Sequence, residues 1–415
     1  MQKRLAAGVC FAAGLLLASP AGAQAVVRVS SGGAFTSIGA AVRSAAAHSR
    51  IVVAAGTYRE PTIIVDKPLE IVGEGMPLVD GEKKRAIILI RADSVAIKGL
   101  HLTRAAHSLV QDLAAIRVEN AVGCVIEGNR IDDSFFGIYL AKSEGCVIRR
   151  NVIRASGRTE MSSGNGIHLW ASSHNLIDSN VISGHRDGIY FEFVHNSVIR
   201  GNVSEGNIRY GLHFMYSDDC RYLGNTFRRN GSGVAVMFTH RVEMTGNRFE
   251  GNRGSAAYGL LLKEISDSRL LRNVFTRNTV GLLADGADRL LAEGNDFVDN
   301  GWAVELDASS DNARFIGNNY IGNTFDVASN SSEPSSTFSS NYWDNYRGID
   351  LDRNGVGDIP YRPVRLFSMI VARNRPAMLL LRSTFASLLD KAEELLPVLT
   401  PSALADATPA MHRRR

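Results

Sequence analysis

Apolar positions in the middle of the chain come in short alternating runs, each opened by a glycine. They read GIYL at Gly137, GIHL at Gly166, GIYF at Gly188, GLHF at Gly211, GVAV at Gly233, GLLL at Gly259, GLLA at Gly281 and GWAV at Gly301. Period-two alternation in such short runs predicts β-strands, each too short to bury a core alone. Asparagine keeps a second beat, at Asn129, Asn151, Asn180, Asn202, Asn225, Asn247, Asn273, Asn295 and Asn318, with spacings of 22, 29, 22, 23, 22, 26, 22 and 23. A further asparagine follows five residues on at Asn207, Asn230, Asn252, Asn278, Asn300 and Asn323.

Units of this length are stable only when stacked, so the repeat predicts a solenoid. Leucine-rich and helical repeats need longer apolar patterns than these. The fold expected is all-β, a right-handed parallel β-helix with three strands per coil and asparagine at the corners. Asparagine tolerates left-handed backbone, and stacked asparagines bond from coil to coil. The two long spacings predict looped-out insertions near residues 158–164 and 253–257.

Alternation also assigns faces. The first and third positions after each glycine, such as Leu212 and Phe214, point inward, and the second and fourth point outward. A second inward column runs Cys124, Cys146, Asn175, Ser197, Cys220, Val242. Cys124 and Cys146 are therefore expected on adjacent coils, either as inert buried thiols or as a disulfide.

The solenoid is expected over residues 24–340. The apolar spacing of Phe35–Ser49 predicts a helical cap on its open N-terminal end. An acidic Asn/Asp/Gly region, 341–363, follows. There Asp350, Asp352, Asn354 and Asp358 have the alternate-position oxygen spacing of a calcium loop, without the bidentate glutamate that usually completes one. A hydrogen-bonded turn explains the same residues. In the last segment, 364–415, the spacing of Leu381, Phe385, Leu388, Leu389 and Ala392 predicts a helix over Pro376–Leu396, with a frayed basic tail at its end.

Composition sharpens this picture in two ways. The 415 residues are 45% hydrophobic and 21% charged with a formal net charge of +4, which excludes general disorder and a general nucleic-acid binder. Lys3 and Arg4, an apolar run from Leu5 to Leu17, and Ala21-Gly22-Ala23 have the order of a secretory signal peptide over residues 1–23. Cleavage removes Cys10 and leaves three cysteines in an exported protein.

The outward columns carry the candidate chemistry. Position two reads Tyr139, His168, Tyr190, His213, Ala235, and position four reads Ala141, Trp170, Glu192, Met215, Met237, Lys263. His213, Met215 and Met237 thus share one face on adjacent coils. Thioether and imidazole there suit Cu(I), with His168, Glu192 and His240 as second-rank ligands. Packing beneath a loop, or a partner-binding patch, accounts for the same residues. Many β-helices process polysaccharides, so Asp187, Glu192, Asp218, Asp219, Lys263 and Glu264 are carbohydrate-chemistry candidates. No acidic cluster with a basic partner stands out among them.

Three segments carry a family resemblance: GLHFMYSDDC at Gly211–Cys220, GVAVMFTHRV at Gly233–Val242, and NYWDNYRGIDLDRNGVGDIPYRP at Asn341–Pro363. Through them nearly the whole mature chain resembles the NosD family, periplasmic accessory proteins for the copper sites of nitrous oxide reductase. Residues 24–110 are also similar to the start of pectin-lyase-like β-helices. The resemblance implies a non-enzymatic protein, peripheral to the inner membrane. It implies work with an ABC transporter permease and its ATPase, and with a membrane-anchored copper chaperone, in denitrifying bacteria. Copper, as transient Cu(I), is the implied cargo. The alternative is a carbohydrate-binding or carbohydrate-processing β-helix.

Overall fold

The computed structural model describes residues 24–108, 110–254, 257–330, 335–381, 383–395 and 404–414. The expected signal peptide and Leu396 lie outside these residues. Within them the strands form three parallel sheets of 14, 12 and 13 strands, and each strand pairs with its equivalent in the next coil. This is the parallel β-helix expected. Its core is the inside of the tube, where Phe227, Phe249, Phe275, Phe297, Tyr320 and Trp343 stack ring on ring at 4.0–5.7 Å.

The glycine that opens seven consecutive strands of the 12-stranded sheet, from Gly137 to Gly281, is fixed by close approach of the next coil. A Cβ on Gly211 would lie 2.8 Å from Gly233 O and 2.7 Å from Asn230 Nδ2. On Gly233 it would lie 2.2 Å from Gly259 O. One expectation is corrected here. Val280 pairs with Trp302 and Leu282 with Val304, so Ala303, not Gly301, holds the glycine position in the GWAV coil.

The asparagines stack as expected, for a different reason at the corner. Left-handed backbone falls on the preceding residue, such as Gly201 (φ 61°), Gly224 (φ 61°) or Arg272 (φ 52°), and not on the ladder asparagines. The asparagine itself turns inward. The Nδ2 of Asn202 donates to Asn225 Oδ1 at 3.0 Å and to Ile177 O at 2.9 Å, and its backbone N–H donates to the same Oδ1 at 3.0 Å. The pattern repeats up to Asn341. Stacked amides thereby satisfy corner backbone groups that no strand can reach.

Both ends are closed. Helix α1 (Ile38–Ser44) buries Ile38, Ala41 and Val42, and Glu60 accepts from Ile38 N at 2.9 Å and Gly39 N at 2.7 Å at its N-terminus. At the other end the helix expected over Pro376–Leu396 is shorter. Helix α2 (Leu366–Arg373) lies before that span, and a 3-10 turn (Arg375–Leu380) joins it to α3 (Thr384–Leu395). Phe367, Val371 and Ala386 pack on Val280, Trp302, Phe325 and Ala328, outside the last coils. Leu379, Phe385 and Leu388 stay exposed. The basic tail is docked, not frayed. Arg413 pairs with Asp296 at 2.8 Å, and Arg414 N donates to Asn319 Oδ1 at 2.9 Å. Backbone acceptors on the final coil have no further coil to pair with, and the tail supplies one.

The joint between the last coil and this segment holds a buried carboxyl, Asp326, which accepts from Tyr361 Oη at 3.1 Å. Burial pushes its pKa up to about 6, and nearby Asp344 adds to the push. The folded state therefore holds this proton more tightly than the unfolded chain does. That stability is complete below the unfolded value of 3.8 and is lost as pH rises through about 6. Asp326→Asn is expected to stabilise the protein by about 1–3 kcal/mol at pH 8 and by little at pH 4. Urea unfolding at the two pH values checks this, and a difference independent of pH contradicts it.

Candidate functional site

The outer face of the 12-stranded sheet carries both predicted columns in the expected register. Tyr139, His168, Tyr190, His213 and Ala235 are consecutive partners, as are Trp170, Glu192, Met215, Met237 and Lys263. Met215 and Met237 are thus direct neighbours on adjacent coils, both half-buried, with Glu192 one coil earlier.

Position two faces outward but is covered. His168 and His213 are buried as members of a row of rings that runs Tyr139, His168, Tyr190, His213 with centroids 4.3–4.9 Å apart. Asn165, on the insertion before Gly166, lies 3.1 Å through Nδ2 from His168 Nδ1. Burial, reinforced by Arg186, pushes the His168 imidazole down to about 3. Asp187 and a residue not singled out from the sequence, Arg209, surround His213. Arg209 forms a two-pronged ion pair with fully buried Asp187, at 2.9 and 2.5 Å. Burial works to raise the Asp187 carboxyl, but His213 and Arg209 outweigh it and hold the group below the usual range.

His213 Nδ1 lies 3.2 Å from Arg209 Nη2 and 3.7 Å from Asp187 Oδ2. Arginine only donates and carboxylate only accepts, so the two contacts call for opposite tautomers. The shorter is within hydrogen-bond range and the longer is not. Either way Nδ1 is engaged by the pair, and Nε2 has no protein partner. The Tyr190 hydroxyl reaches Met215 Sδ at 3.9 Å.

His240 does not join this group. It lies past the left-handed bend at Phe238, exposed, with Nδ1 2.7 Å from Ser266 Oγ. Met244 is a core residue. Cys124 and Cys146 are buried free thiols, whose sulfurs donate to Ala92 O at 3.5 Å and Glu144 O at 3.5 Å.

The corner beside the methionines carries three further aromatic side chains. Phe193, Tyr216 and Phe238 follow Glu192, Met215 and Met237 and stack at 5.3 and 5.1 Å with planes 12° and 14° apart. All three are left-handed (φ 48–55°), and Phe193 and Tyr216 are exposed. Gly286 shows that glycine is accepted at this corner. Any non-glycine residue there costs about 1–2 kcal/mol of backbone strain, and three successive coils place aromatic rings at it. The signal was readable: Lys142, Ala171, Glu264 and Gly286 stand at the same position in other coils.

The carbohydrate candidates are largely engaged elsewhere. Asp187 is committed to Arg209, Asp219 to Arg241 at 2.6 Å and Lys263 to Asp285 at 3.2 Å. Asp218 accepts from His240 N at 2.8 Å. In the acidic loop, Asp350 accepts from Gly355 N at 2.9 Å, Asp352 from Asn354 Nδ2 at 2.8 Å, and Asp358 from Leu351 N at 2.7 Å. Asn354 Oδ1 accepts from Val356 N at 2.7 Å. These are the bonds of a self-supported turn. Among the described residues no group of three or more His, Cys, Asp or Glu is placed to hold a metal, so the calcium expectation gains no support there.

A family model described as periplasmic copper-binding protein (NosD) matches residues 152–348, a stretch that contains the whole methionine face. The probable ABC transporter binding protein NosD of Pseudomonas aeruginosa is 30% identical over 386 residues, covering 86% of this chain and 87% of that protein. Its namesake in Stutzerimonas stutzeri is 27% identical over 374 residues, covering 86% and 85%. Among solved structures, the A-module of the Azotobacter vinelandii mannuronan C-5 epimerase AlgE6 aligns with a TM-score of 0.58 at 16% identity, over 73% of this chain and 92% of that one. The catalytic unit of a Streptomyces thermodiastaticus α-1,3-glucanase aligns with 0.58 at 12% identity, over 80% and 71%. At such identities the two enzymes share the fold with this chain and nothing further is implied.

Proposed function

This chain belongs to the NosD family of periplasmic copper-binding proteins, and we propose that it relays Cu(I) toward the copper centres of nitrous oxide reductase through the outer face around Met215 and Met237. One observation supports this most: two thioethers stand in register on adjacent coils, two residues along from an imidazole whose Nε2 has no protein partner. Met215 and Met237 are the donors that would hold the ion, joined by His213 Nε2 in the tautomer that carries its proton on Nδ1, toward Asp187 Oδ2; thioether and neutral imidazole are suited to Cu(I). In that tautomer Asp187, itself held by Arg209, would position His213 by its Nδ1 proton, as carboxylates position many metal-binding histidines. A site without thiolate binds loosely, which suits transfer. Glu192 and His168 flank the donors along the two columns.

The exposed rings of Phe193 and Tyr216, with half-buried Phe238, border the donors, and a membrane-anchored copper chaperone would dock over them. The exposed Leu379, Phe385 and Leu388 of the C-terminal helical segment would meet an ABC transporter permease, which agrees with the relatives' description as ABC transporter binding proteins. In this reading the protein is not an enzyme.

The test is Met215→Ala with Met237→Ala in a denitrifying host. Neither side chain belongs to the core inside the tube, so folding and export are expected to persist. Nitrous oxide reductase purified from that strain should be copper-deficient. Enzyme with its full copper content, beside normal levels of the double variant, would sink the proposal.

A further inference from the structure

The second asparagine ladder begins one coil late. His185 occupies the place that Asn207 holds in the following coil: its backbone N–H donates to Asn207 Oδ1 at 3.1 Å, and Gly184 before it is left-handed (φ 72°), as Gly206 is (φ 60°). An asparagine at this point would extend the ladder. The histidine instead buries an imidazole with neither ring nitrogen hydrogen-bonded, and burial pushes its pKa down to about 4. A buried polar group without partners costs stability. Breaking a favourable repeat at such a cost marks a functional position.

In the coil just before, the chain leaves the repeat as the insertion spanning residues 155–164. A cavity of about 540 Å³ lies against it, lined by His185, Ser163, Phe135, Lys83, Arg104 and Arg158. The Ser163 hydroxyl is also buried without a partner. Phe135 and His107 stack at 4.2 Å and form an apolar wall. Arg104 is committed to Asp80, and Asp133, the acidic lining residue, accepts from Ser156 Oγ at 2.8 Å. Lys83 and Arg158, both exposed at the side chain, remain as cations facing the space. A net-positive lining disfavours a metal ion, and the volume is that of a small-molecule site.

We propose that this cavity binds a small organic anion, with its carboxylate or sulfate head on Lys83 and Arg158, its body against Phe135, and His185 and Ser163 donating hydrogen bonds. The site is separate from the methionine face and does not depend on the copper reading.

Calorimetric titration of the full mature chain with three probes tests it: glucuronate has head and body, glucose the body alone, inorganic sulfate the head alone. Glucuronate is expected to bind at least tenfold more tightly than either of the others. Lys83→Gln with Arg158→Gln should weaken glucuronate binding at least tenfold with an unchanged melting temperature. His185→Asn should raise the melting temperature, because it extends the ladder, while weakening glucuronate binding. No saturable glucuronate binding, or equal binding of glucose, overturns the proposal. Equal binding of sulfate overturns the contact with the body. A His185→Asn protein with unaltered affinity overturns the role of the imidazole.

Discussion

Asn225→Ala is expected to destabilise the middle of the solenoid by about 1–3 kcal/mol, because a buried polar group left without a partner costs about that much. The side chain is wholly buried and makes four bonds. Its Oδ1 accepts from Asn202 N and Asn202 Nδ2, each at 3.0 Å. Its Nδ2 donates to Ile199 O at 2.9 Å and Asn247 Oδ1 at 3.0 Å. Alanine strands the Asn202 N–H, deep in the corner where water does not reach, while the Ile199 carbonyl keeps its place in the strand ladder and loses only its second donor. Single domains are stable by about 5–15 kcal/mol, so such a loss is a large share of the total. In a stacked array, where stability sums over neighbours, it should open the adjacent coils first. Hydrogen exchange should show protection lost around residues 199–250 before either end. A cost under 1 kcal/mol by urea unfolding, with the protection pattern unchanged, would mean that the ladder follows from the fold without holding it.

The second large effect lies at the end of the same ladder. Asn341 is its last asparagine, and Asp406, from the far C-terminal segment, receives it. The Asp406 carboxylate is fully buried and accepts from Asn341 N and Asn341 Nδ2 at 3.0 Å, Ser340 N at 3.1 Å and Trp343 Nε1 at 3.1 Å. Asp406→Ala removes the acceptor of these four donors and of Thr408 N, and leaves buried Asn341 N and Trp343 Nε1 with no other partner, since Asn341 Nδ2 keeps Phe315 O and Ser340 N keeps Thr408 Oγ1. A cost of about 2–6 kcal/mol is expected, at 1–3 kcal/mol per stranded donor. Asp406→Asn keeps one oxygen in place and should cost markedly less. Removal of residues 404–415 should match or exceed the alanine variant. Thermal melts of the three proteins check the order, and equal melting temperatures would show that the tail is an ornament.

The periodicity made the fold legible because every coil repeats the same solution. Short alternating runs leave few choices, and even the inward column from Cys124 to Val242 could be read before any coordinates. The register of the outward columns followed from the same beat, which is why Met215 and Met237 were placed together correctly. What alternation does not encode is cover. His213 and His168 point outward yet are buried, because neighbouring rings and the loop that carries Asn165 lie over them. Arg209 was invisible because it belongs to the corner before the strand, where no alternation applies. The tail was misjudged for a related reason. Asp406 sits 65 residues from the asparagine it caps, and a contact at that distance leaves no local pattern. His240 looked near Met237 in sequence, but the bend at Phe238 turns it onto another facet.

The most direct test of the copper reading is X-ray absorption at the copper edge on protein loaded with Cu(I) without oxygen. Bound copper should show sulfur scattering with a nitrogen contribution. Met215→Ala with Met237→Ala should abolish the sulfur signal and copper retention while leaving the melting temperature within a degree or two of the parent. Copper retained by the double variant with its sulfur signal intact would contradict the assignment.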